Sequence, residues 1–378
     1  MAVNYVFIDR ESVESEVAKR VMSSWPEDKW SIVDDEPLSN QKGRLTSEQF
    51  DQSKKLLHIT PFKGKFFKRC PGARPGLTCC NYFVLNLGLQ CDMNCSYCYL
   101  QSFINTPVMK LYSNIDDALG ELREMGKDLG DQTMRIGTGE VIDSLSLDEL
   151  SLYSHKLIEF FKDYPNWRLE FKTKSNKVDQ FLNTSHAGNV IVSWSINPQE
   201  VIESEEHMTA SMEERLEAAR KVRDKGFLVS FHIDPMIEHP GWEVNYPKLV
   251  KRICTEFSPD EIPYVSVGAL RFQPEQRHMM RDRFGGKSLV NQAELFPGHD
   301  GKYRYESDLR KEMYQSVMSA FKEEDPKWKV FICMENPETW LANYEAMPKS
   351  VDGLEELFDH KPIRKFKNFT ESSADSSS

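Results

Sequence analysis

A chain of 378 residues, 39% hydrophobic and 11% aromatic, is long enough for one large domain or two of medium size with a sizeable core. A formal charge of −11 argues against a protein that coats nucleic acid through bulk charge, though it leaves room for a local basic groove. No apolar run reaches the roughly 18 residues of a membrane span, and the first residues run into charge at Asp9-Arg10-Glu11, so neither a span nor a signal peptide is expected. Eight cysteines, three of them at metal-ligand spacing, suit a reducing cytoplasm, the expected location, better than a disulfide framework.

In chain order, residues 1–69 read as an N-terminal appendage. It has a strand over 3–8 and a helix over 11–22, where Val13, Val17, Val21 and Met22 recur at helical spacing. Polar and charged residues dominate 27–55. Lys63-Gly-Lys65-Phe-Phe-Lys68-Arg69 is a basic, aromatic cluster, read first as a solvated loop and second as a phosphate-contacting surface. Cys70-Pro-Gly and Cys79-Cys80 read as buried thiols, since a second metal site there lacks a nameable fourth ligand. Residues 81–88 form a strand that runs directly into Cys91-Asp-Met-Asn-Cys95-Ser-Tyr97-Cys98-Tyr99.

That C-x3-C-x2-C loop is the strongest motif in the chain. Three thiolates can each ligate one iron of a 4Fe–4S cluster and leave the fourth iron open to a small chelating ligand. Structural zinc usually takes two ligand pairs, and no second pair follows. The spacing resembles the cluster loop of radical S-adenosylmethionine (radical SAM) enzymes, in which the open iron is chelated by SAM.

Beyond the loop, strands and helices alternate about six times. Helices are expected at 115–126, 148–162, 211–225 (stopped by Gly226) and 245–256, with a helical turn at 178–182. Strands are expected at 133–136, 167–173, 190–196, 227–233 and 264–272. This is an α/β pattern: a parallel sheet curled into a partial barrel over 70–275. Residues 276–370 are expected to cover the barrel. They hold Arg277, Arg281, Arg283 and Lys287 around Gly285-Gly286, a helix over 306–323, a strand over 329–333 and a basic run from Lys361 to Lys367. Both basic groups read first as solvated surface and second as the border of a groove. The Ser-rich residues 371–378 are expected to be disordered.

Successive strand ends present polar groups at one rim, where parallel barrels carry their active sites. The glycines of Gly137-Thr138-Gly139-Glu140 would let backbone approach a ligand, and Glu140 could accept from the SAM ammonium, although a plain turn also explains the motif. Asp143 follows it. Lys172 and Lys174 alternate to one side, and one of them would meet the SAM carboxylate. Ser193, Ser195 and Asn197 are candidates for ribose or carboxylate hydrogen bonds. Asp234 and His232 end the next strand, His232 reading as a packing residue.

A narrower resemblance rests on Cys70-Pro-Gly, Cys79-Cys80-Asn-Tyr, the cluster loop with Leu-Gln-Ser-Phe after it, Thr173-Lys174 and Ser193-Trp-Ser195-Ile-Asn. Arg215-Leu-Glu-Ala-Ala-Arg-Lys-Val, His239-Pro-Gly-Trp242-Glu and, more loosely, Cys333-Met-Glu335 extend it. Together they resemble spore photoproduct lyase and its wider family. The resemblance implies a partial (β/α)6 barrel, a 4Fe–4S cluster on Cys91, Cys95 and Cys98, SAM as cosubstrate, and an electron donor such as flavodoxin or ferredoxin. In it Tyr99 matches a tyrosine of hydrogen return, and Lys174 and Ser195 match SAM-contacting positions; with the strand-end groups, the expected SAM contacts are Tyr97, Gly137, Thr138, Gly139, Glu140, Asp143, Lys174, Ser193, Ser195 and Asp234, and the expected catalytic residues Tyr99 and Glu140. One departure stands out. The repair enzymes carry a radical-quenching cysteine just after the second strand, where this chain reads Gly139-Glu140-Val141-Ile142-Asp143. Tyr99, or a residue folded nearby such as Cys254 or Cys333, could take its place, or no such quench is needed.

The leading expectation is therefore a radical SAM enzyme acting on a substrate other than, or in addition to, a thymine lesion, such as an amino acid, nucleoside or peptide. Repair of thymine dimers in DNA is the alternative. A non-catalytic cluster- or zinc-bearing nucleic-acid-binding protein is the second.

Overall fold

The computed structural model describes residues 3–38, 43–72, 76–78, 80, 82–129 and 133–344. Cys79, the basic run at 361–367 and the Ser-rich tail lie outside them.

The sheet that organises the chain has eight strands. Six parallel strands follow one another around it in chain order: Phe83–Leu85, Met134–Gly137, Trp167–Thr173, Val190–Ser195, Leu228–Met236 and Val265–Ala269. Val330–Ile332 adds a parallel strand at one edge, and Phe67–Arg69 pairs antiparallel at the other. Such strands are covered on both faces, which is why they read as unbroken apolar runs; every residue of Val190–Ser195 and Val265–Ala269 is buried. The sheet curls into the expected partial (β/α)6 barrel. Met212–Asp224 shows how a covering helix is defined: Ser211 and Glu214 form a capping box, and Gly226 turns away at φ 83°.

Several elements differ from the sequence reading. The helix expected over 148–162 is two, Asp148–Ser151 and Tyr153–Phe161, broken at Leu152 with φ 51°. The cause is Asp148, whose carboxylate accepts from the Ser154 amide at 3.0 Å and from Gln180 Nε2 at 3.0 Å, so the second segment starts afresh on a buried cap. Residues 178–182 only turn, and Val178 and Phe181 are wholly buried. The helix expected from 245 begins at Trp242, after Gly241 at φ 82°. The run 264–272 divides, Arg271–Phe272 leaving the barrel to pair with Tyr303–Arg304.

The first sixty residues carry more structure than their polarity suggested. Trp30–Val33, Tyr5–Asp9, Leu56–Thr60 and Met109–Tyr112 form a parallel sheet in that order, closed by an antiparallel Gly88–Leu89. Two of its five strands thus come from beyond residue 69. Val6, Ile8, Leu57 and Ile59 are fully buried in one core that is continuous with the barrel's. The cysteine loop leaves the edge of this sheet at Leu89, so it is held by both halves of the molecule.

Candidate active site at the C-terminal rim of the barrel

Contacts from three directions fix the cysteine loop. From the N-terminal side, Lys54 donates to the carbonyls of Cys91 (2.9 Å) and Met93 (2.5 Å), and Gln90 Nε2 donates to Ser53 Oγ at 2.7 Å. From the barrel, Asn94–Cys95 pairs with Glu206–His207, and the Ser96 amide donates to the Glu205 carbonyl at 2.8 Å. From the C-terminal region, Gln276 Nε2 donates to the Tyr97 carbonyl at 2.9 Å. Arg283 reaches Asn94, Gln101 and Asp51. Its side chain is 1% exposed, so this member of the basic group is a buried clamp and not solvated surface.

Cys91, Cys95 and Cys98 are all free thiols. Burial pushes the Cys91 thiol well up and that of Cys95 to about 12. Among the described residues, no three His, Cys, Asp or Glu side chains converge on one ion position. A soft, three-thiol set spread along a loop fits a multi-iron cluster, which takes each thiolate on a different iron, better than a mononuclear zinc site.

Behind the loop stands a buried charged group. Glu206 pairs with Arg215 at 2.6 Å, both side chains wholly buried, and accepts from the Tyr97 hydroxyl and from Asn197 Nδ2 at 2.9 Å. Burial pushes the Glu206 carboxyl up, but the charges of Arg215 and Lys174 outweigh it and hold the group ionised. The Lys174 ammonium lies 5.7 Å from the Tyr97 ring centre. Burial works against its charge, yet Cys95 and Glu206 raise its pKa overall.

The residues after the second strand act mainly as supports. The Asp143 carboxylate accepts from the amides of Leu145 (3.0 Å), Ser146 (2.9 Å) and Lys174 (2.9 Å) and from Thr173 Oγ1 (2.7 Å). It thereby ties two strand ends together. Thr138 Oγ1 bonds Ser144 Oγ at 2.7 Å. The room beside Gly137 is filled by the Tyr82 hydroxyl, and that beside Gly139 by Lys172. These glycines therefore admit protein atoms where the sequence suggested a ligand. Ser193 lies inside the barrel, its hydroxyl donating to Glu170 at 2.6 Å. His232, kept neutral by burial, donates Nε2–H to the same carboxylate at 2.7 Å and is the packing residue expected. Ser195 is buried, with its carbonyl held by Arg215 at 2.8 Å.

At the open side, Tyr99 is 39% exposed, and its hydroxyl donates to the Glu140 carbonyl at 3.0 Å and Oε1 at 3.4 Å. Burial pushes the Glu140 carboxyl up; Lys172, next in effect, opposes it. The two lysines part company. The charge of Lys174 acts on Cys95 and Glu206, that of Lys172 on Glu140, His232 and Asp234. Lys174 follows the strand's last residue and is turned by its Asp143 contact, so simple alternation fails. Asp234 is held by both Arg271 nitrogens at 3.0 and 3.1 Å. Cys333 shares this end with Arg271 and Asp234, and Cys70 interacts with both Cys333 and Glu140. Cys254 sits on the outer helix Trp242–Glu256, away from the rim.

Sequence reasoning missed Lys54, Glu206 and Arg271, and it gave Arg215 and Arg283 no contact with the loop or its buried charges. Arg215 left a trace: it falls on the apolar stripe of its helix, between Met212 and Leu216, where a charge needs a buried partner. The others carry no local signal.

A family model described as spore photoproduct lyase matches residues 3–330. The chain belongs to the spore photoproduct lyase family. Among the curated members of this family of radical SAM lyases, the Clostridium acetobutylicum enzyme is 27% identical over 280 residues, 72% of this chain and 80% of its own. The Bacillus subtilis enzyme is 28% identical over 218 residues, 57% of this chain and 61% of its own. The chain spans about half of the Geobacillus enzyme, at 31% identity over 175 residues. Spore photoproduct lyase solved with dinucleoside spore photoproduct superposes with a TM-score of 0.74 at 22% identity, covering 87% of this chain and 98% of that one. A variant with bound AdoMet and the same dinucleoside gives the same values. The partial barrel and its additions are therefore the spore photoproduct lyase fold. Among the described residues, no helix is long and apolar enough to cross a membrane.

Proposed function

We propose that this protein is a radical SAM lyase acting on a spore-photoproduct-type thymine lesion in DNA. The observation that carries the reading is the pairing of Tyr99 with Glu140, Tyr99 following directly on the last of the three free thiols of the loop. The expectation of a small metabolite or peptide gives way, because the relatives above are spore photoproduct lyases.

In this reading Cys91, Cys95 and Cys98 hold the 4Fe–4S cluster, which with SAM supplies a 5′-deoxyadenosyl radical. The barrel of residues 70–275 carries the site, and the segments on either side brace its loop. Lys174 offers a buried cation to the SAM carboxylate. Glu140 accepts from the SAM ammonium and orients the Tyr99 hydroxyl. Asp143 and Thr138 hold these strand ends in place. Lys65, Lys68 and Arg69 are exposed while Phe66 and Phe67 are buried, so this cluster can offer its charges to DNA phosphates. The stretch from Gly139 to Asp143 holds no thiol where the repair enzymes carry a cysteine, and the rim thiols Cys70 and Cys333 take over hydrogen return. The reductant is a small electron carrier of flavodoxin or ferredoxin type.

The test is anaerobic reconstitution with iron and sulfide, followed by dithionite, SAM and an oligonucleotide containing spore photoproduct. The expected result is 5′-deoxyadenosine formation together with reversal of the lesion to two thymines. 5′-Deoxyadenosine with an untouched lesion would return the substrate to the wider class first expected.

A further inference from the structure

One buried charge is unused by the reading above. Lys54 follows the short helix Ser47–Ser53 and is 4% exposed. Its ammonium donates to the Cys91 and Met93 carbonyls at 2.9 and 2.5 Å and lies 4.8 Å from the Phe50 ring centre. Three other buried cations have an acid in contact: Arg215 has Glu206, Arg271 has Asp234, Arg283 has Asp51. Among the described residues, no carboxylate stands within 4.0 Å of the Lys54 ammonium, Asp92 included. Two carbonyl dipoles and an aromatic face satisfy its donors and soften its field, but they do not neutralise it. A buried cation left without an anion is strongly disfavoured.

We infer that the missing anion is the iron–sulfur cluster itself, and that Lys54 is a built-in counter-ion that favours the cluster's reduced state. The inference rests on Cys91, Cys95 and Cys98 holding that cluster. An iron–sulfide core on three thiolates is a net anion and gains a further negative charge when it accepts an electron. A fixed cation in a low-dielectric setting therefore stabilises the reduced form more than the oxidised one. Lys54 touches the loop's backbone and no reacting atom, so it is a positioning and electrostatic residue. Its place also gives the N-terminal sheet a role: that sheet carries the lysine to the loop, with Phe50 wedged between Lys54 and Arg283 at 4.8 and 4.6 Å.

The test compares the full-length wild type with Lys54→Arg, which keeps donors and charge, and Lys54→Gln, which keeps donors alone. Each is reconstituted with iron and sulfide, assayed for iron per chain, and titrated redox-potentiometrically with detection by electron paramagnetic resonance. Lys54→Arg should match the wild type. Lys54→Gln should bind iron but lose about tenfold in its reduction equilibrium, a potential about 59 mV lower for one electron. An unchanged potential in Lys54→Gln overturns the inference and leaves Lys54 a hydrogen-bonding pin. If Lys54→Gln loses iron while Lys54→Arg keeps it, the charge is required and the inference stands. If both lose it, loop shape alone is at stake and the inference falls. A wild type that takes up no cluster would instead overturn the assignment of the three cysteines, and this inference with it.

Discussion

A Cβ built on Gly137 would lie 1.5 Å from the Tyr82 hydroxyl oxygen and 2.4 Å from its Cζ. The glycine is thus fixed by packing between adjacent strands. Gly137→Ala should destabilise the fold by about 1–3 kcal/mol, the usual range for overpacking, seen as a lower urea midpoint. Tyr82→Phe in the same chain should recover only part, because Cζ still crowds the new methyl. An unchanged midpoint with weakened SAM binding would restore the ligand-approach role suggested by the motif. At this scale the sequence was legible where chemistry is local. Three soft ligands within eight residues announce themselves, and a tyrosine next to the last can be singled out. Glu206 could not be found that way, because its partner Tyr97 is 109 residues distant and the Arg215 contact closes only after the barrel has curled. Lys54, 37 residues from Cys91, looks in sequence like any other member of a polar run.

The N-terminal sheet has its own weak point in His58, in the middle of Leu56–Thr60. The side chain is 2% exposed, and neither ring nitrogen has a hydrogen-bond partner among the described residues. Asp9 at 3.9 Å favours protonation, but burial, followed by the charge of Lys110, holds the pKa at about 4 against an ordinary 6.5. The folded pKa is depressed. As pH falls below 6.5, the unfolded chain takes up a proton that the folded one refuses. The stabilisation present above pH 6.5 should therefore decline by up to about 3 kcal/mol on the way to pH 4. His58→Leu should flatten urea-denaturation stability across that window. A wild type that gains stability on acidification would mean that the Asp9 ion pair wins. The same strand shows why this sheet was hard to read. A histidine at its centre and the half-exposed edge strand Trp30–Val33 break the apolar run by which the barrel strands could be recognised. The barrel strands, covered on both sides, have no such interruption. The break at Leu152 was hidden for the opposite reason: apolar residues on both sides keep helical spacing through a residue whose backbone does not.

At the scale of the whole molecule, the repair reaction proposed above needs a hydrogen for the substrate carbon radical, and Glu140 cannot give one. The fold brings distant thiols to the place where one is wanted. Cys70 precedes the first barrel strand and Cys333 follows the last strand of the sheet, yet the two interact at the rim. Cys70 also interacts with Tyr99. Burial keeps both thiols protonated, with Cys333 pushed up to about 12. A hydrogen donor needs this state, in contrast to a thiolate nucleophile. Donation converts the carbon radical and S–H into C–H and a thiyl radical, which Tyr99 can then restore. Thiol and phenol hydrogens exchange with solvent, whereas those of the 5′-methyl group of 5′-deoxyadenosine do not. Repair run in D2O should therefore place one deuterium in the released thymine. Replacing the donor in Cys70→Ala or Cys333→Ala should cut repair at least tenfold while 5′-deoxyadenosine still forms, and the double variant should do no worse than the more affected single one. Undiminished, deuterium-labelled repair in the double variant would assign donation to Tyr99 directly. Unlabelled thymine would mean that the hydrogen comes back from 5′-deoxyadenosine without passing through a protein group, and the thiols brought together at the rim would then be packing residues alone.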